Sequence, residues 1–521
     1  VLGVALRAQP APDDALPGSL HALVALFASS CAWALGIALV AMLLALPIAL
    51  ALRRAPFAWA LPLLVPLLLP NYLVSFCLTL LVQPQSALGA WIATYGQSQL
   101  PWLPGLVMQG LAFIGLAAWL APLGVLLLLP ACKALPESCV QSLRLDAPPL
   151  QRGLVLLRML RGPALLSLAV LGMLMLGSAV PLHLTNAPTL SVRAWASAML
   201  SPASLAPWSA SAPVLLLALC TGAALALLAA THAPHAAQHT HDDASARAAH
   251  ARHTLRQALR TPPTLLVLVV PLLLVALPLL AAMLNVRSVH SIVAFAQVAS
   301  QAIASSLLVG ACTGALLAGV LMLALRMGQR LPRAGVVALA MLLCWALVPG
   351  VLSGQAWTLL IALVQERAPL AGSDALAFVT LVLAHASRFA GFFALAGVVL
   401  ASLESRDLQH ARMLDAATST KGWLLTRALG SVHAPLPVVV GAFSAGLCLS
   451  LHEIESTIML QPPGTGSLGQ TMLANLHFAR SEELCAGVLV VSLLACGALV
   501  LPAWLLWMVH SLRRAARAER T

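Results

Sequence analysis

Long apolar runs separated by short polar segments dominate this chain. Residues 20–52 contain no Asp, Glu, Lys or Arg. Comparable runs fall at about 58–82, 105–130, 163–183 and 212–230, then at 264–284, 292–325, 334–364, 375–401, 436–460 and 484–510. At a rise of about 1.5 Å per residue each is long enough to cross a hydrocarbon core of about 30 Å. The runs are continuous, whereas barrel strands alternate over about ten residues. The expected fold class is therefore an all-α integral membrane protein with eleven spans, five and then six. A span precedes the long run 292–325, but only the apolar stub 1–6 precedes 20–52. That asymmetry predicts a further span upstream of Val1.

A short basic pattern interrupts the apolar runs twice. One copy runs from Leu145 through Asp146, Ala147, Arg152 and Gly153 to Arg158. The other runs from Leu414 through Asp415, Ala416, Lys421 and Gly422 to Arg427. Shared leucines carry little weight in so apolar a chain, but an Asp, a base, a Gly and an Arg in one register do. The repeat divides the chain into a first half, 1–230, a linker, 231–263, and a second half, 264–521. Each copy predicts two short helices joined by a turn. Pro148-Pro149 suits the start of the second helix, where a missing N–H costs nothing, and Asp146 or Asp415 can cap it. Such a basic platform with an apolar ridge fits docking into a groove on a soluble partner, whereas an ordinary basic loop needs charge alone.

Composition narrows the class. Charged residues are 8% of the chain, hydrophobic residues 61%, and mean hydropathy is +0.95; soluble domains carry about a quarter charged residues. A net charge of +12 would fit nucleic acid, but the bases are placed otherwise. With alternating spans, 22 of the 28 Lys and Arg residues fall on one side. Only Arg7, Arg193, Arg287, Arg367 and Arg480 fall on the other, and Arg388 lies inside a span. By the positive-inside bias, both repeat copies and the C-terminus are cytoplasmic. Six crossings separate the copies, so the two homologous helical bundles are parallel.

Other features have plainer readings. The ten cysteines include no CxxC pair and fall mostly in apolar runs, as small buried hydrophobes. The His-rich stretch 231–263 lacks the spacing of a defined metal site and reads as a hydrophilic linker. Gly464-Thr-Gly-Ser-Leu-Gly469 matches a dinucleotide fingerprint in letters only, since no strand precedes it. No phosphate-binding GxxxxGK[ST] loop, cofactor motif or catalytic constellation is present.

The ionisable residues inside apolar runs are different, because a charge in hydrocarbon costs about 3 kcal/mol or more. Arg388, with His385, lies midway along 375–401, and His452, Glu453 and Glu455 lie toward the outer end of 436–460. Two roles fit: lining a translocation path, or pairing with one another to fix helix packing. On a continuous helix Glu453 and Glu455 point about 200° apart, which predicts different surroundings for the two.

Three stretches carry a family resemblance: the basic repeat, Gly446-Leu-Cys-Leu-Ser-Leu-His-Glu-Ile-Glu-Ser-Thr-Ile-Met-Leu460 with Gln461-Pro-Pro-Gly464, and Leu473 to Glu483. Together they resemble the permease subunits of ATP-binding-cassette importers, of the fused two-half type found in the ferric-iron group. The repeat looks like that family's cytoplasmic loop that receives the ATPase. It departs from the pattern in reading His410-Ala411-Arg412 and Gln141-Ser142-Leu143 where the family has Glu-Ala-Ala, and Ala416 and Ala147 where it has Gly. The resemblance implies an importer-type permease in the bacterial inner membrane, contacting membrane lipid but no nucleic acid. Its partners would be two ATP-binding subunits at Asp146, Ala147, Arg152, Gly153, Arg158 and their second-half equivalents, and a periplasmic substrate-binding protein. It implies no enzyme activity and no cofactor of the permease itself. Ferric iron leads as substrate, ahead of thiamine, polyamine, sulfate and phosphonate. An ion- or proton-coupled secondary transporter is the competing expectation.

Overall fold

The computed structural model describes residues 19–53, 67, 69–82, 86–146, 148–184, 187–200, 204–236, 276–327, 333–367, 374–403, 436–461, 466–478 and 480–518. All regular structure among them is helical. In chain order the helices are α1 (Leu20–Leu52), α2 (Asn71–Thr79), α3 (Ala87–Ser98), α4 (Leu103–Ala134), α5 (Glu137–Asp146), α6 (Pro149–Met159), α7 (Arg161–Leu176), α8 (Val180–His183), α9 (Leu190–Leu200), α10 (Ala206–Ala210) and α11 (Ala212–Ala236). They continue as α12 (Ala276–Asn285), α13 (Val289–Val298), α14 (Ser300–Met327), α15 (Arg333–Leu347), α16 (Gly350–Arg367), α17 (Asp374–Leu403), α18 (Leu436–His452), α19 (Glu455–Leu460), α20 (Leu468–His477) and α21 (Ser481–Ala518).

Six of these are long and apolar enough to cross a membrane, or up to ten if each of four bent pairs counts as one span. Among the described residues, several of the expected runs are broken. The run 292–325 is divided at Ala299, 334–364 at Val348-Pro349, 436–460 at Glu453-Ile454, and 163–183 at Gly177–Ala179. At Pro349 the missing N–H and the restriction on Val348 stop the helix, and α15 and α16 meet at a bend of 107°. The expected spans at 58–82 and 264–284 are described only in part, and the linker 237–263 lies outside the described residues.

The packing is that of a multi-pass membrane protein. On α1, Leu35, Leu39 and Leu43 stand half exposed or more, while Ala34, Ala38, Ala41 and Ala45 on the opposite side are buried. Large apolar side chains outside and small ones inside is the arrangement expected when the surroundings are lipid, because helices then associate by close approach. At the crossing of α14 and α18 this is literal. A Cβ on Gly314 would collide with the Phe443 carbonyl oxygen at 2.5 Å, and one on Gly446 would lie 2.8 Å from Gly314 Cα.

The chain forms two compact units. The first holds residues up to Ser211 together with 243–287; the second holds 212–242 and everything from Ser288 on. Their internal packing follows one plan. In the first unit α1 packs on α4 and α7, α2 on α4 and α8, and α9 on α1 and α8. In the second, α14 packs on α17 and α18, α16 on α17 and α19, and α20 on α14 and α19. Individual bonds recur as well. The first amide of α9, Leu190 N, donates to Ser30 Oγ on α1 at 2.7 Å; the first amide of α20, Leu468 N, donates to Ser306 Oγ on α14 at 2.9 Å.

Candidate functional site

Two places gather the residues singled out from the sequence. The first is the platform between α4 and α7. Helices α5 and α6 form as expected, with Pro148 extended at φ −63°, ψ 157° and a proline in the first turn of α6. Asp146 does not cap α6: it ends α5, and the cap position falls on Pro148, which makes no side-chain bond there. The turn is held instead by Arg152 Nε, which donates to the Leu143 carbonyl across it at 3.2 Å.

Leu156 and Leu160 are buried under the platform, whereas Leu145, Leu154 and Leu157 stay exposed with Arg158. Helix α6 is bent by 76° from α7. Arg53, at the end of α1, forms an ion pair with Glu137 at the start of α5, so the basic residue assigned to the platform's side is brought to its foot. Gly153 faces open space, with nothing within 4 Å of an added Cβ. Ala147 and the second copy, with Asp415, Ala416, Lys421, Gly422 and Arg427, lie outside the described residues.

The second place is a junction of helix ends inside the second unit. Where α18 breaks, Glu453 turns back to cap α19: its Oε1 accepts from Ser456 N at 3.1 Å and from Ser456 Oγ at 3.0 Å. Its Oε2 pairs with Arg388 Nε at 2.7 Å. Arg388, from the middle of α17, also donates from Nη1 to the Val348 carbonyl at 3.1 Å, closing the end of α15. Glu455 reaches the same guanidinium at 3.9 Å. One arginine thus joins the end of α15 to the start of α19.

The two glutamates do not have the separate surroundings that a continuous helix would impose. The break at Glu453-Ile454 removes the 200° offset, and both carboxylates come to Arg388. Gly350, which opens α16, is required by this packing, since an added Cβ would meet the Glu455 carboxylate and lie 2.9 Å from Arg388 Cζ. His452 ends α18 and is half-buried.

His385, one turn before Arg388, was paired with it in sequence, but its partners were not legible. Its Nδ1 lies 2.7 Å from Ser450 Oγ and its Nε2 2.9 Å from Thr457 Oγ1. The Thr457 hydroxyl donates to the Glu453 carbonyl, so it accepts from His385, which places a proton on Nε2. Both ring nitrogens are thus engaged. Ser387 accepts from Trp345 Nε1 and Trp357 Nε1, each at 3.2 Å, bracing α17 against α15 and α16.

Beside this junction is a small pocket, lined by Ser305, Ser306, His385, Ser450, Glu453 and Thr457 together with the apolar Val309, Leu381 and Leu451. Serine 305 and Ser306 on α14 were not picked out from the sequence, since single serines in apolar helices are common. No group of three or more His, Cys, Asp or Glu side chains arranged to hold a metal ion occurs among the described residues.

In the first unit the same junction is closed by uncharged residues at the positions of Arg388 and Glu453. Trp119 Nε1 donates to the Leu69 carbonyl at 2.7 Å, as Arg388 does to Val348, and Pro70 then opens α2 as Pro349 precedes α16. The α7 break is closed by Ser178 N donating to Met175 O at 3.1 Å, matched by Glu453 N to Ser450 O at 3.2 Å. Asn71 Nδ2 reaches Ser178 Oγ at 3.2 Å. Trp119 stands for Arg388, and Ser178 for Glu453. Comparison with known protein families, with curated proteins and with solved structures returns no match.

Proposed function

We propose that this multi-pass membrane protein is the permease subunit of an ATP-binding-cassette importer, with two related halves enclosing one path in alternating access. The observation that carries the reading is the platform α5–α6. In it the amphipathic α6 bends 76° from α7, with exposed leucines beside Arg158 and a glycine open to the outside. A mid-helix glycine costs about 1 kcal/mol relative to Ala, and nothing in the described chain approaches Gly153 closely enough to require it. A partner whose backbone comes close to α6 does. The motif's recurrence at 414–427 and the common packing plan of the two units support two such partners, one per half. The chain has no nucleotide-binding loop of its own, so in this reading separate cytoplasmic ATP-binding subunits dock there. A periplasmic binding protein delivers the substrate, with ferric iron first on resemblance and thiamine, polyamine, sulfate or phosphonate as alternatives. The membrane is then the bacterial inner membrane, with the C-terminus cytoplasmic.

Gly153→Trp tests this reading. The side chain meets open space in the isolated protein, so the variant inserts and folds normally. Purified from native membranes under mild detergent, the wild-type chain retains an ATP-hydrolysing subunit, and the variant loses most of it. An equal yield of that subunit with both chains, or with neither, rejects docking at the platform.

A second reading, an ion-coupled secondary transporter, is favoured by one observation: the charged junction lies at broken helices inside the membrane domain, as coupling sites do. Transport that continues in proteoliposomes free of ATP, driven by an ion gradient, would select it.

A further inference from the structure

Helix α3 presents large apolar side chains on one stripe. Leu88, Trp91 and Tyr95 lie three and four residues apart, and the rings of Trp91 and Tyr95 lean together with centroids 4.9 Å apart. These three, and Trp102 immediately before α4, are each 40% exposed or more. One position on from the stripe, Gly89, Ile92 and Gly96 are buried, while the other exposed positions, Ala87, Ala90 and Thr94, are small. The bulk of the exposed surface therefore points one way. An apolar, aromatic patch of this kind marks an interaction surface.

Level, direction and charge say what meets it. Gly96 packs on the first turn of α4, where an added Cβ would lie 2.6 Å from Pro104 Cγ. Helix α4 is long and apolar enough to cross a membrane. Its 32 residues reach about 48 Å at about 1.5 Å per residue, against a hydrocarbon core of about 30 Å. With Lys133 at the far boundary, its first turns extend past the core, and α3 lies at that height. The direction fits a surface helix. Helix α2, which ends the apolar run 58–82, packs on α4, and α3 is bent 77° from it. Ser86 fixes the turn, donating to the Leu81 carbonyl at 2.8 Å and accepting from Gly89 N at 2.9 Å. No Asp, Glu, Lys, Arg or His occurs between Arg54 and Lys133.

The second unit supplies a comparison. The bonds Trp119–Leu69 and Arg388–Val348 match α4 to α17 and α2 to α16. There the equivalent of α2 and α3 is the single helix α16, which ends on Gln365-Glu366-Arg367, and α17 opens on Asp374. That end is charged, as a helix end in water is. The first unit has a break, a turn and aromatics instead. We propose that α3 is an interfacial helix, seated with Leu88, Trp91, Tyr95 and Trp102 between phospholipid headgroups and acyl chains, so that lipid is the partner of this surface. Trp and Tyr suit that layer, because the ring body is apolar while its N–H or O–H reaches water and headgroups. A seat without charge needs no anionic headgroup. The inference depends on the chain being a membrane protein and not on what it transports.

The test places spin labels on the full-length chain in phosphatidylcholine nanodiscs, through Trp91→Cys, Ile114→Cys and Glu366→Cys, each in a background lacking the native ten cysteines. Ile114 is an exposed residue of α4, about 16 Å further along the helix than Leu103. Collision with oxygen and with a water-soluble nickel complex gives the depth of each label. Position 91 should lie about 5–10 Å into the headgroup and acyl boundary, position 114 deeper, and position 366 in water. A label at 91 as wet as one at 366 would show the stripe standing clear of the bilayer, and one as deep as 114 would make α3 part of a span. A label at 91 shielded from both reagents would mean that protein, a second copy included, covers the stripe. Each of these three results overturns the proposal. If the cysteine-free chain does not fold, Trp91→Phe with Trp102→Phe in the native background gives a second measurement. The pair should remove tryptophan emission that lipid brominated near its headgroup quenches. The proposal fails if the emission removed is quenched only by iodide in the water.

Discussion

Arg388, within a span, meets three partners: a carbonyl, a carboxylate at 2.7 Å and a second at 3.9 Å. Removing one partner of a buried pair is more damaging than never having had the pair, because the remaining charge stays buried. Arg388→Met, which leaves two carboxylates facing each other, should therefore cost about 3–5 kcal/mol. The glutamates should differ. Glu453 both pairs closely and caps α19, so Glu453→Gln should lose about 1.5–3 kcal/mol, the usual range for a charged hydrogen bond. Glu455→Gln, at the longer distance of 3.9 Å, should cost less than Glu453→Gln. Thermal unfolding of the purified variants in one detergent orders the three, and an equal effect of the two Glu→Gln changes would contradict the geometry. The ionisable residues themselves were visible in the sequence as charges within apolar runs. Pairing among them was one of the two roles the sequence left open, but that both glutamates reach Arg388 was not legible, because spacing on a helix misleads once the helix breaks.

Breaks are also where the elements departed from expectation. The apolar run 334–364 contains Val348-Pro349-Gly350, whose local chemistry announces a stop, and hydropathy alone passes over it. The run 436–460 holds no proline or glycine at its break; the only sign is a pair of acids two residues apart, each of which finds Arg388. Helix crossings were harder still to read, since a glycine needed for close approach and one that is not look alike in sequence. Gly314 and Gly319 on α14 make the contrast testable. A side chain at 314 meets the Phe443 carbonyl of α18, while one at 319 meets nothing within 4 Å. Gly314→Val should force α14 and α18 apart and cost about 1–3 kcal/mol or more, as overpacking does. Gly319→Val should be tolerated. Yield of monodisperse protein after size-exclusion chromatography, followed by melting temperature, separates the two. Similar losses for both would mean that crowding at the crossing is not what excludes the larger side chain.

At the scale of the molecule, the repeat stood out in the sequence because its residues are polar, and polar residues are scarce enough here to be informative. The common packing plan of the two units could not be read, since Leu, Ala and Val alone do not say which helix meets which. Sidedness follows from the same scarce residues. Lys and Arg resist transfer across the membrane, so in the eleven-span topology expected from the sequence the bias of 22 against five would put both basic repeats on one face. In the first unit Arg53 is brought to Glu137 at the foot of the platform. Single cysteines replacing Arg158 and Arg427, in a background lacking the native ten, should both react with a membrane-impermeant maleimide in inside-out vesicles. Neither should react in intact spheroplasts, and a cysteine replacing Arg480 should behave the opposite way. The Arg158 and Arg427 positions decide between parallel and inverted halves: a parallel pair labels together, while an inverted pair labels from opposite sides whatever the total number of spans. Labelling of Arg158 and Arg427 positions from opposite faces would overturn the parallel arrangement, and with it the requirement that both platforms meet their partners in the same compartment.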